Sequence, residues 1–153
     1  MKITLLLLAL WLLAAVGPAA AQIDTTRARY YRPVFANVTV TSGVTYGSAV
    51  DYMGTMQSLQ MDIYQPAGDT VKRRPLVIFA HQGGFFLGSR TDPYMVAVCT
   101  RLARLGYVAA SIDYRLGFIA TGIASPADTV SLAQAAFRGM QDMKAVVRFF
   151  RKG

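Results

Sequence analysis

Two kinds of hydrophobic pattern divide this chain. Val34, Ala36, Val38 and Val40 alternate with Phe35, Asn37, Thr39 and Thr41, and Leu59, Met61 and Ile63 alternate with Gln60, Asp62 and Tyr64. A period of two puts successive side chains on opposite faces, so each run predicts a β-strand with one wet face. Strands of this kind belong to antiparallel pairs near a sheet edge. Ser42-Gly43 and Tyr46-Gly47-Ser48 read as turn material after the first, and Pro66-Ala67-Gly68 stops the second.

The middle of the chain changes character. Pro75 to Ala80 is apolar at successive positions, and Tyr107 to Ile112 predicts a second buried strand. Such runs are expected where helices cover both faces of a parallel sheet. Between them Asp92 precedes Pro93, an N-cap followed by proline at the first helical position. Met95, Val98, Cys99, Leu102 and Leu105 then recur at helical spacing, and Gly106 ends the run. Strand, helix and strand in this order predict a right-handed βαβ unit. Phe118 to Val130 reads as a surface loop, and Leu132, Ala136, Met140, Met143, Val147 and Phe150 mark a second amphipathic helix.

Residues Met1 to Ala21 follow a different rule. They hold one charge, Lys2, then the apolar run Ile3 to Val16, the break Gly17-Pro18, and Ala19-Ala20-Ala21. This is the layout of a secretory signal peptide, and it is shorter than the roughly 20 apolar residues of a spanning helix. Cleavage after Ala21 is expected, giving a secreted or periplasmic protein without stable membrane insertion, with residues 22–153 forming one partial domain.

The formal charge of +8, with no Glu in the chain, raises the question of an anionic partner. The cations are scattered: Arg27, Arg29, Arg32, the trio Lys72-Arg73-Arg74, Arg101, Arg104, Arg138, Arg148 and Arg151. They read as a solvated face, and an export signal argues against a nucleic-acid partner. One cysteine, Cys99, excludes a disulfide within the chain; its place on the helix stripe favours burial, with a bond to a partner elsewhere as the alternative. One His, one Cys and dispersed Asp62, Asp69 and Asp92 offer no zinc spacing, and no Gly-rich nucleotide loop is present. No metal or cofactor is expected.

Gly83 and Gly84 follow the first buried strand at its carboxyl end, where open α/β sheets place their ligands. Glycines there let the backbone approach a ligand and aim N–H groups at it. Two such donors on a developing oxyanion stabilise acyl transfer by several kcal/mol. Taken alone, the pair reads better as a plain strand-to-loop turn.

The surrounding residues carry more. Pro75-Leu76-Val77-Ile78-Phe79-Ala80-His81-Gln82-Gly83-Gly84-Phe85, then Gly88-Ser89, then Ser111-Ile112-Asp113-Tyr114-Arg115-Leu116-Gly117, resemble secreted carboxylesterases and lipases of the α/β-hydrolase superfamily. The resemblance takes in Leu59 to Pro66 upstream and Gln141 to Arg148 downstream, about residues 55 to 152 in all. It implies an α/β fold, the N-terminal half of an α/β-hydrolase: two antiparallel strands, a βαβ unit and a further helix, with the strands in spatial order one, two, four, three. It implies a carboxylic ester hydrolase of the serine type, acting without a cofactor on a small-molecule, polysaccharide-linked or lipid ester. By position in the family's His-Gly-Gly-Gly motif, Gly83 and Gly84 would supply the oxyanion hole. His81 would anchor the loop instead of serving as the base. Gln82 stands where the family has its first glycine, at a cost if the turn there needs positive φ, or with its amide lining the pocket. Arg115 and Asp142 are implied to form a structural ion pair beneath the site. Phe85-Phe86-Leu87 would make an apolar acyl or alcohol pocket, or simply core.

Serine hydrolysis also needs a Gly-x-Ser-x-Gly elbow followed by an acid and a histidine. Ser42, Ser48, Ser58, Ser89, Ser111, Ser125 and Ser131 all lack the flanking glycines, and no histidine follows His81. The nucleophile, acid and base are therefore expected beyond Gly153. The alternatives are a non-catalytic secreted hydrolase-like binding module and an inactive gene fragment. An isolated chain with Leu76 to Ala80 at a sheet edge is expected to self-associate.

Overall fold

A computed structural model describes residues 28–119, 121 and 126–152, so the expected signal peptide, residues 1–21, lies outside the described residues. Four strands, β1 (Val38–Val50), β2 (Met56–Pro66), β3 (Leu76–Ala80) and β4 (Val108–Ile112), and two helices, α1 (Pro93–Leu105) and α2 (Pro126–Arg151), follow one another as β1, β2, β3, α1, β4, α2. The sheet order is β1-β2-β4-β3. β2 runs antiparallel to both β1 and β4, whereas β3 and β4 are parallel, register Leu76 opposite Val108 through Ala80 opposite Ile112. This is the mixed α/β arrangement expected of a partial α/β-hydrolase fold, with β3 at an edge of the four strands.

The first strand corrects the sequence reading at both ends. Val34 to Asn37 are not strand; the Val34 and Phe35 N–H groups donate to the Arg104 carbonyl at 2.9 and 3.1 Å, occupying an acceptor that a helix end leaves open. Ser42-Gly43 and Tyr46 to Ser48 are not turns but lie within β1, where the register shifts between Thr41 and Val44 and between Thr45 and Gly47. Bulges of this kind absorb an extra residue without ending the strand, and Gly43 at φ 68 supplies the conformation one of them needs. The true turn is at Asp51, whose carboxylate accepts the Met53 and Thr55 N–H groups at 2.8 and 2.9 Å.

β2 is also corrected: it is an interior strand covered on both faces. Leu59 and Met61 join Tyr46, Ala110, Ile112, Tyr114 and Val146 in one core beneath α2. Tyr64 joins Cys99, Ala103 and Ala109 in the other, beneath α1. Asp62, assigned by its pattern to a wet face, is 3% exposed.

α1 matches its sequence boundaries. Pro93 opens it, and Gly106 at φ 105 closes it, with the Gly106 and Tyr107 N–H groups donating to Ala103 and Leu102 carbonyls. The Asp92 side chain does not cap it; its carboxylate accepts the Ser89 N–H and hydroxyl, both at 3.2 Å. α2 begins inside the stretch read as loop, because proline at the first helical position disrupts nothing. Its buried face is rotated from the predicted stripe: Ala135, Asp142 and Val146 are buried, while Leu132 and Met140 are exposed. A carboxylate at the centre of the face and small residues at 135 and 139 hide it from a hydrophobicity count. A Cβ on Gly139 would lie 3.2 Å from the Phe85 ring, so the small residue lets α2 sit close to the loop after β3. Among the described residues, no helix is long and apolar enough to cross a membrane.

Candidate functional site

Because β3 and β4 are parallel neighbours, the segments that follow them, from His81 and from Asp113, leave the sheet at the same end. His81 is 4% exposed. Its carbonyl accepts the Tyr114 hydroxyl at 3.0 Å, its ring stacks on Tyr114 with centroids 4.4 Å apart, and its Nδ1 donates to the Gln82 carbonyl at 2.8 Å. A carbonyl only accepts, so Nδ1 carries a proton.

The chain then turns through three positive φ angles, Gly83 at 122, Gly84 at 61 and Phe85 at 64. The Gly83 carbonyl accepts the Phe86 and Leu87 N–H groups at 3.0 and 3.2 Å. A Cβ on Gly83 would stand 1.9 Å from the Leu87 carbonyl oxygen, so only glycine fits. Gly84 has open space around it. The Phe85 carbonyl accepts both the Gly117 and Phe118 N–H groups at 3.0 Å, and its ring meets Tyr114 edge-on, which places Phe85 in the core. Phe86 and Leu87 are 57% and 56% exposed. Gly88 folds back so closely that a Cβ would lie 2.4 Å from both the Gln82 carbonyl and His81 Nδ1.

Among the described residues, the backbone N–H groups of Gly83, Gly84 and Phe85 donate to no acceptor. Consecutive unpaired N–H groups in a tight turn form a concavity receptive to anions. Gln82 is exposed and is absent from the residues of positive φ, so replacing a glycine there strains nothing.

Arg115 and Asp142 meet behind this loop. Arg115 Nη2 and Nε reach the carboxylate at 2.7 and 3.0 Å, the Arg115 N–H donates to Asp142 Oδ2 at 2.8 Å, and Nη1 donates to the Val50 carbonyl at 2.9 Å. The pair therefore joins the β4 exit, α2 and the end of β1.

Sequence reasoning missed a second charged cluster. The Arg90 N–H donates to Asp113 Oδ1 at 2.7 Å, its Nε to Asp62 Oδ1 at 2.9 Å, and its Nη1 pairs with the Asp113 carboxylate. Asp62 also accepts the Gly43 N–H of the β1 bulge at 2.8 Å, and the Tyr46 hydroxyl donates to the Asp113 carbonyl at 2.5 Å. Burial, with the Asp142 and Asp113 charges adding, raises the Tyr46 phenol and keeps it a donor. The available signal was the position of Asp113 directly after a buried strand; the partnership itself depends on β2 lying beside β4.

A third cluster lies at the opposite end, by the start of β4. Arg29 binds Asp69 through two bonds of 3.0 and 2.6 Å and also donates to the Gly106 carbonyl; Arg74 stands 3.5 Å from the same carboxylate. The Arg29 hydrogen bonds hold the Asp69 carboxyl down at about 2. Arg29 and Arg74 are thus structural, which corrects their reading as solvated cations. Cys99 is fully buried and free, its thiol pushed up to about 11 by burial and then by the Asp62 charge. Among the described residues, no group of three or more His, Cys or Asp side chains is placed to hold a metal ion.

The mixed sheet, with a glycine loop at the carboxyl end of β3, is that of a partial α/β-hydrolase fold, and a family model narrows the class. Residues 61–153, more than half the chain, match BD-FAE, and the chain belongs to that family, an α/β-hydrolase-type esterase domain. No curated protein matches it. Solved structures similar to it include esterase B from Lactobacillus rhamnosis, 24% identical with TM-score 0.49 over 76% of this chain and 31% of that one. Brefeldin A esterase, a bacterial homologue of human hormone-sensitive lipase, is 21% identical with TM-score 0.41 over 76% and 28%. A hyperthermophilic esterase from the archaeon Pyrobaculum calidifontis is 31% identical with TM-score 0.36 over 67% and 28%. The chain spans less than a third of the length of these structures.

Proposed function

We propose that the protein is an exported carboxylic ester hydrolase in which the Gly83 and Gly84 N–H groups hold the oxyanion of acyl transfer. The observation that carries this reading is the run of unpaired N–H groups at the carboxyl end of β3, on a turn that only glycine at position 83 permits. Donors already in place before charge develops need no reorganisation, which is the source of their catalytic value. His81 and Gln82 support the loop, the His81 carbonyl by accepting the Tyr114 hydroxyl and the His81 ring by donating to the Gln82 carbonyl. In this reading the histidine anchors the loop and the base is another residue.

The reaction is attack of a serine hydroxyl oxygen on the ester carbonyl, with its proton passing to the base. The tetrahedral intermediate collapses to an acyl-enzyme with release of the protonated alcohol, and attack by water frees the carboxylic acid and restores the serine. None of the seven serines of residues 1–153 lies in an elbow motif, and in this reading these residues contribute the oxyanion loop and not the nucleophile. Phe86 and Leu87, exposed beside the glycines, offer an apolar wall for the acyl or alcohol part of a small-molecule or polysaccharide-linked ester. A second reading, a secreted module that binds without turnover, is favoured by the same missing elbow.

The test is turnover of chromogenic acetyl and feruloyl esters by protein expressed from the intact gene. Turnover abolished by an organophosphonate is expected, with none from residues 1–153 alone. A folded intact protein that binds such esters without turning them over would establish the second reading instead.

A further inference from the structure

The proposed chemistry depends on where the Gly83 and Gly84 N–H groups stand, yet among the described residues they donate to no acceptor that would fix them. We propose that Arg90 is a positioning residue for this turn, acting through the second half of the loop; the assignment rests on the ester-hydrolase reading above.

The loop from His81 to Arg90 is held at three places. The His81 carbonyl takes the Tyr114 hydroxyl, and the Phe85 carbonyl takes the Gly117 and Phe118 N–H groups. Both of these hold the first half, and both lead to the segment after β4. Beyond Leu87, Ser89 bonds only to its near neighbours Thr91 and Asp92. Among the described residues, Arg90 alone ties this end of the loop to the sheet, through Nε on Asp62 of β2 and through its N–H and Nη1 on Asp113 directly after β4.

Its anchors are themselves fixed. Asp62 has a side chain 4% exposed and holds the β1 bulge through Gly43. The Asp113 N–H donates to the Gln60 carbonyl of β2 at 2.8 Å. Arg90 therefore references the loop to β1, β2 and β4 together. A planar guanidinium serves two carboxylates in fixed directions; an ammonium carries the same charge without the fork. Movement at Arg90 passes directly to the turn, because Gly88 lies in contact range of the Gln82 carbonyl and the His81 ring.

The experiment uses protein expressed from the intact gene and compares Arg90→Lys and Arg90→Met with the parent. Ester kinetics are read alongside NMR hydrogen exchange at Phe86 and Leu87, whose N–H groups close the turn on Gly83. Arg90→Lys keeps the charge between the carboxylates, so the assignment predicts KM within about 3-fold but kcat lower by on the order of 10- to 100-fold. Exchange at Phe86 and Leu87 should quicken by about 10-fold while core amides of β2 and β4 stay protected. Arg90→Met should show the same split with a lower melting temperature. Unchanged exchange in both variants, or quicker exchange with unchanged kcat, overturns the assignment. A parent protein that hydrolyses no ester overturns the ester-hydrolase reading instead, and the exchange result then decides by itself whether Arg90 holds the turn.

Discussion

The Asp142 carboxylate lies 2.7 Å from the Arg115 guanidinium and also accepts the Arg115 backbone N–H at 2.8 Å, with both side chains less than a tenth exposed. Removing one partner of such a pair leaves the other buried without compensation, which costs about 3–5 kcal/mol. Asp142→Ala should therefore lower the urea midpoint sharply, and Asp142→Asn, which keeps an acceptor, should lower it less. Neither should change which esters are preferred. An unchanged midpoint in Asp142→Ala would show that the pair contributes nothing to the fold.

Asp69 gives a prediction in pH. Arg29 holds its carboxyl at about 2, below the ordinary 3.8. A depressed carboxyl stabilises the folded state fully above its unfolded value, and the contribution fades as pH falls through its folded value. Asp69→Asn should thus unfold at lower urea than the parent at neutral pH. The gap should narrow between pH 3.8 and about 2. A gap constant over that range would contradict the Arg29–Asp69 assignment.

Cys99 should be chemically silent in the folded protein. Its thiol is inaccessible and is pushed up to about 11, so little thiolate exists at mildly alkaline pH. Reaction with an aromatic disulfide reagent should be at least about 100-fold slower in native protein than in denaturant. Rapid native labelling would place Cys99 outside the core.

Much of the fold was legible in short-range pattern. Leu76 to Ala80 was legible as a strand from its continuous apolar run, although at the edge of the four strands its residues are only half-buried and Ala80 is exposed, where the run alone reads as fully covered. Pro93 and Gly106 mark the limits of α1 because their backbone preferences are local. The placement of Gly83 and Gly84 after β3 was equally visible. Other features were not, because they depend on pairing between distant segments. Asp62 looks solvated until β2 is placed beside β4 and Arg90 arrives from the loop. Gly43 looks like a turn until Asp62 is seen to hold it inside β1. The face of α2 was misjudged because its centre is Asp142, a charge that only Arg115 makes tolerable in the core.

The most direct test of the central claim is the ester kcat of Gly83→Ala against Gly84→Ala, in protein expressed from the intact gene. Alanine at 83 would collide with the Leu87 carbonyl at 1.9 Å and displace the donors, whereas alanine at 84 meets no atom within 4 Å and keeps its N–H. Gly83→Ala should lose on the order of 100- to 1,000-fold in kcat. Gly84→Ala should stay within about 10-fold of the parent in kcat, because its N–H is kept, while the alanine at a left-handed position lowers stability by roughly 1–2 kcal/mol. Wild-type kcat in a folded Gly83→Ala protein would contradict the account.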